Sequence, residues 1–174
     1  CTQLKSNTWF RISKNIRIKS FSDWNQDSSL LVEILKKDII LNLNDGQALG
    51  WSSEIKKIIK NYKNKFLLRL ISWGDADMIN FYDHHNKFIL PLAAEKKPCG
   101  QTYAYNLKKW GCNFAVPFSS MHRYVRDDSS KMNKFTTPLN LHYEKFNNKH
   151  GEMLPAFLRW NTLEHDYKKI NPQE

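Results

Sequence analysis

Two stretches of the sequence deliver a side chain capable of metal or acid–base chemistry at the end of an apolar run. Asp45 closes Ile39-Ile40-Leu41-Asn42-Leu43-Asn44-Asp45-Gly46, and 77 residues later His122 closes Val116-Pro117-Phe118-Ser119-Ser120-Met121-His122. An acidic residue directly after a buried strand lies at the strand's C-terminal end, where α/β proteins place their ligands. A neutral imidazole is a good ligand for zinc or iron. If the two runs are strands of one sheet, Asp45 and His122 converge on one rim. Each also has a plainer reading: Asn-Asp-Gly is well suited to an Asx-turn or a helix N-cap, and a lone His is commonly a hydrogen-bonded structural residue.

Arg123, Tyr124 and Arg126 follow His122 directly and are the candidate substrate-binding residues. The two guanidinium groups could clamp a phosphate or carboxylate bidentately. The competing reading is a solvated loop in which the arginines pair with Asp127 and Asp128 at little energetic gain. A second cluster, Asp75, Asp77, Asp83, His84 and His85, is a poorer ligand source, because adjacent side chains diverge on regular structure. His142, His150 and His165 fall in the polar C-terminal stretch and read as surface residues, and so does Asn133. Cys1, Cys99 and Cys112 form no CxxC pair and are odd in number. That argues against a disulfide scaffold and a cysteine-built zinc site, and favours a reducing cytoplasm. There is no Gly-rich phosphate loop, nucleophile-elbow serine or HExxH helix.

The elements that must position these residues show in the apolar patterning. Trp9 to Ile12 and Ile16 to Phe21 read as strands, the second alternating Ile16 and Ile18 with basic neighbours. Ser29 to Leu35 and Ile39 to Leu43 read as paired strands through the core, joined by a charged turn. Leu49, Ile55, Ile58, Ile59 and Tyr62 fall at helical spacing with Lys56, Lys57 and Lys60 facing away, and Ser52 or Ser53 is the expected N-cap. A strand over Phe66 to Ser72 follows, then a helix over Thr102 to Trp110 closed by Gly111, then a strand over Asn113 to Phe118. Hairpins followed by strand–helix–strand alternation give an α/β class. From Asn147 onward the polar stretch carries no clear pattern. Trp51, Trp73 and Trp110 are expected in the core or a pocket wall.

Composition narrows the function classes. The chain has 174 residues, is 41% apolar and 13% aromatic, and carries a formal charge of +10. One domain fits that length, and no apolar run approaches the roughly 20 residues of a membrane-spanning helix. The positive charge attracts phosphates and nucleic acid, but it comes overwhelmingly from Lys, whereas phosphate and base contacts lean on Arg. Lys, Asn and Ile are all abundant, as an AT-rich coding sequence would make them. Nucleic acid is therefore a less favoured partner than a small anionic substrate, and no membrane partner is expected.

Taken together, Asp27-Ser28-Ser29-Leu30-Leu31-Val32-Glu33, Ile40 to Asp45 and Phe114 to His122 resemble the second half of a metallo-β-lactamase-fold protein. The branch they resemble contains the ascorbate-phosphate lactonases and the N-terminal part of the CMP-sialic-acid hydroxylases. The resemblance spans roughly residues 15 to 145 and implies an αββα sandwich. It also implies one or two divalent ions, zinc first with iron or manganese as alternatives, with Asp45 bridging them as a catalytic residue and His122 as a further ligand. The implied activity is hydrolysis of an ester, lactone or phosphoester of a small anionic or sugar-derived substrate by hydroxide formed from an acidified water.

The family's His-x-His-x-Asp-His motif is absent, and no His at all precedes Ile39. The chain opens on Cys1 and its first Met is Met78, so a C-terminal portion of such a domain is the expectation. With two ligands where zinc needs three or four, this piece alone is expected to bind metal poorly and to be inactive. The alternative readings are a degenerate member of the fold and a non-catalytic basic module that binds nucleic acid or another polyanion.

Overall fold

A computed structural model describes residues 3–72, 82–119 and 121–170. Seven strands form one sheet in the order of the chain: β1 (Trp9–Arg11), β2 (Ile16–Ser22), β3 (Ser28–Ile34), β4 (Asp38–Asn44), β5 (Asn64–Arg69), β6 (Phe114–Pro117) and β7 (Glu152–Met153). The first three pairings are antiparallel and the last three parallel. The change of direction has a simple cause. A turn of a few residues can reverse the chain, but a parallel neighbour needs a long crossover. Helix α1 (Ser52–Ile59) supplies that crossover between β4 and β5, and α2 (Gly100–Trp110) lies between β5 and β6.

Burial alternates along the strands with a period of two. Leu31 on β3, Ile39, Leu41 and Leu43 on β4, Leu67 on β5 and Ala115 on β6 are fully buried. They form one core with Ile55 and Ile59 of α1 and Tyr103, Leu107 and Trp110 of α2. Both helices therefore cover the same face of the sheet. At about 25 cal/mol per Å² of apolar surface, this face supplies the main folding drive. Gly111, at φ 69°, ends α2 in the left-handed conformation expected of a C-cap glycine. The N-cap expected at Ser52 or Ser53 falls instead on Trp51, because both serines are already helical. The indole of Trp51 leaves the helix end to donate to the Ser22 carbonyl at 2.7 Å.

The opposite face is also apolar but less covered. Ile18, Val32, Ile40, Leu68 and Val116 stand on it half-buried. The stretch that carried no pattern in the sequence packs there: hairpin β8 (Leu158–Asn161) and β9 (Asp166–Lys169) covers one end. Trp160 stacks edge-on against Phe66 at 4.9 Å and lies 5.3 Å from Phe114. Its indole donates to the buried Asp38 carboxylate at 2.8 Å, which also accepts from Asn64 at 2.7 Å. Near this end, Glu33 accepts two 2.6 Å hydrogen bonds from Arg17 and one from the Tyr62 hydroxyl. Burial by itself would raise the Glu33 carboxyl, but these donors outweigh it and hold the group below the usual range.

The α/β class thus holds, with helices on one face of a single mixed sheet. Among the described residues no helix is long and apolar enough to cross a membrane.

At the start of α2, Gly100 lies against the backbone of residues 144–146, its N–H bonded to the Glu144 carbonyl at 3.1 Å. A Cβ there would collide with the Glu144 oxygen and the Phe146 nitrogen, which are backbone and cannot swing aside. Gly100→Ala is accordingly expected to cost about 1–3 kcal/mol, read as a lower urea midpoint at unchanged slope. An unchanged midpoint would show that the two segments are not in close contact.

Candidate functional site

Because β4, β5 and β6 run parallel, their C-terminal ends share one edge. Asn44 is paired with Arg69, and Arg69 with Pro117, so the chain leaves the sheet at three adjacent points. Asp45 follows the first point and His122 lies five residues beyond the last. The strands that precede Asp45 and His122 thus end on one edge of the sheet. The antiparallel order of β2, β3 and β4 brings the β2–β3 turn, with Asp23, to the same edge.

The backbone at this rim is held in uncommon conformations. Asn44, Ala48 and Ser119 have φ of 44°, 52° and 66°, and β4 carries a register shift between Asn42 and Asn44. Asn tolerates this region, whereas Ala and Ser adopt it at a cost of roughly 1–2 kcal/mol. Such outliers gather where a loop must aim a side chain.

Polar satisfaction gives a second, independent signal. Both carboxylate oxygens of Asp23, the hydroxyls of Ser29 and Ser72, the Asn42 side-chain oxygen and His142 Nε2 are buried without a hydrogen-bond partner among the described residues. Asp23, Ser29 and Asn42 belong to strand ends or turns at this edge, and Ser72 follows β5. His142, in α3 (Leu139–Tyr143), is 3.3 Å through Nδ1 from the Tyr103 hydroxyl, which itself lies 3.5 Å from the Arg69 carbonyl. A buried polar atom without a partner costs about 1–3 kcal/mol. Trp110 Nε1, at the C-terminal end of α2, is in the same state.

The individual candidates fare differently. Asp45 is exposed and accepts a 3.1 Å hydrogen bond from the Asn44 amide. His122 is half-buried, its ring 5.1 Å from that of Tyr124 and nearly perpendicular to it. Tyr124 packs against the small cluster of Ala93 and Phe135. Arg126 pairs with Asp128 at 2.5 Å, both side chains exposed, which is the solvated ion pair weighed against an anion clamp. Arg123 is exposed and makes no ion pair among the described residues. It lines a cavity with Met121 and His122. Asp83 accepts from the backbone N–H groups of His85 and Lys87, both at 2.9 Å, and so organises a turn. Asp75, Asp77 and Trp73 lie outside the described residues.

Two readings require correction. His142 is not a surface residue but is completely buried, because α3 packs against α2. Asn133 is half-buried rather than merely surface: it accepts from the Tyr124 N–H and donates to the Tyr124 carbonyl, both at 2.8 Å. Sequence reasoning also missed Arg69. It is half-buried at the end of β5, donates to Asn106 at 2.8 Å, and is held below its usual range by burial. A lone Arg closing Phe66-Leu67-Leu68 was the available clue.

Neither buried thiol is poised for attack. Burial raises Cys99 and pushes Cys112 up to about 12. Asp45 and His122 have donor chemistry suited to a divalent ion, but among the described residues no three His, Cys, Asp or Glu side chains gather into a ligand group. The set falls short of the three or four ligands a zinc site needs.

His142 provides a pH test. Burial lowers its pKa from the ordinary 6.5, so the unfolded chain takes up its proton first on acidification. Stability is then complete above about pH 6.5 and falls as pH drops towards the folded value. The melting temperature should decline over that window in the wild type, and less in His142→Gln. Equal slopes for the two proteins would show that His142 is not buried in its neutral form.

Comparison with protein-family models, with curated proteins and with solved structures returns no match for this chain.

Proposed function

We propose that the chain is the Asp45- and His122-bearing half of a metal-dependent hydrolase with an αββα sandwich of the metallo-β-lactamase type. The observation that carries this is that β4 and β6, the parallel strands preceding Asp45 and His122, end on one edge of the sheet on either side of β5. The half-buried apolar face opposite the helices adds support, since in such a sandwich a second sheet packs there and brings further ligands.

A divalent ion bound at such a rim supplies Lewis acidity and an acidified water. The work of this chain is to hold and orient. Asp45 offers an exposed carboxylate on a turn, one oxygen of which accepts from the Asn44 amide, suited to accept a hydrogen bond at the reacting centre. His122 is steadied by its edge-on contact with Tyr124. Arg123 provides the fixed positive charge for a substrate anion.

The test uses the longest polypeptide encoded in frame with this chain, assayed against lactone, aryl ester and aryl phosphodiester substrates. Activity should vanish with chelator and return with zinc, iron or manganese. Asp45→Ala and His122→Ala should each lower kcat/KM by at least about 100-fold, since even groups that only support metal ligands are worth 10–100-fold. Chelator-insensitive activity, or variants as active as wild type with unchanged melting curves, would sink the proposal.

A second reading has an observation of its own. At the far end of the sheet, Arg11, Lys14, Arg17 and Lys36 line a cavity of about 220 Å³, and the chain carries a charge of +10. A polyanion-binding module would bind oligonucleotides with a steep salt dependence and no response to chelator. Arg17 is already committed to Glu33, which leaves that cavity with flexible, exposed cations and makes it the weaker reading.

A further inference from the structure

Beside His122 lies a cavity of about 490 Å³, within the range of small-molecule sites. Its lining mixes a cation and polar groups, Arg123, His122 and the buried Thr137, with the apolar Met121, Leu139 and Phe157. Leu139 and Phe157 are 39% and 41% exposed, so two large apolar side chains face this space rather than the core. Apolar surface gathered around a charged group is what an amphiphilic ligand would cover.

The mouth is also built rather than loose. The 3-10 helix Ser130–Phe135 presents Asn133, whose amide grips the N–H and carbonyl of Tyr124. That two-way bond fixes the loop exactly one residue from Arg123, so the guanidinium starts from a restrained backbone. Thr136, which also lines the cavity, donates to the Asn133 carbonyl at 2.9 Å and so is tied to the same helix. Arg126, by contrast, is occupied by Asp128, which leaves Arg123 as the cation of this loop that faces a ligand.

We propose that this cavity is the subsite for the non-reacting part of the substrate, and that it selects organic anions with an apolar body, such as aryl or alkyl phosphates and carboxylates. Arg123 takes the anionic group, and Leu139 and Phe157 take the ring or chain. The assignment of the occupant as substrate rests on the hydrolase reading of the rim. The binding itself needs no metal, so the two can fail separately.

The experiment is calorimetric titration of the full chain with phenyl phosphate and with inorganic phosphate, in the presence of EDTA. Phenyl phosphate should bind saturably and more tightly than inorganic phosphate. Arg123→Gln should weaken phenyl phosphate at least about tenfold, the equivalent of one charge-assisted hydrogen bond. Phe157→Ser should weaken phenyl phosphate and leave inorganic phosphate unchanged, while Lys57→Gln on α1 should change neither. All three side chains are exposed or half-exposed, and matching melting curves establish that the variants fold. Absence of saturable binding, or binding by Arg123→Gln and Phe157→Ser equal to wild type, overturns the subsite. Intact Arg123-dependent binding in a protein whose hydrolysis ignores chelator upholds the subsite and removes only the metal.

Discussion

Everything at the rim depends on one packing constraint: α1 and α2 bury their apolar stripes against the same face of the sheet. A strand that is followed by a helix on that face must return to the sheet in the same direction. Ile39, Leu41 and Leu43 anchor β4 under α1, while Leu67 and Ala115 set β5 and β6 beneath the same helical layer. Three C-terminal ends are thereby stacked side by side, and residues far apart in sequence become neighbours in topology. The strands leading to Asp45 and His122 owe their common edge to this arrangement.

That same one-sidedness explains which parts of the molecule could be read from the sequence. The two-residue alternation through Leu31, Ile39, Leu41 and Leu43 and the helical spacing of Ile55 and Ile59 are local consequences of facing the core. So is the left-handed stop at Gly111. Those elements were legible within a residue or two. What escaped were contacts that no local pattern encodes. Asp38 looked like the end of a charged turn, yet it is buried because Trp160, 122 residues away, donates to it. His142 looked like part of a polar tail, yet α3 carries it into contact with Tyr103. Asn133 looked like surface, and its role is visible only once the Tyr124 backbone lies beside it.

At the site, residue types were legible but their employment was not. Arg123 and Arg126 are indistinguishable as letters. Asp128 lies two residues after Arg126 and neutralises it, and Arg123 is left beside a cavity. Asp83 carries the same carboxylate as Asp45, but two backbone N–H groups consume one of its oxygens in a turn. Hydrogen-bond accounting therefore separates structural from available groups where composition cannot.

The balance between the two faces of the sheet bears on what the chain does with its rim. The helix-covered face is closed, and its buried groups are mostly apolar. The other face keeps Ile18, Val32, Ile40, Leu68 and Val116 only half-covered, with hairpin β8–β9 over one end. An apolar sheet face is ordinarily matched by another layer. The ends of β4, β5 and β6 lie along one edge of that face, and Trp160 of the hairpin already supplies part of its cover by packing on Phe66.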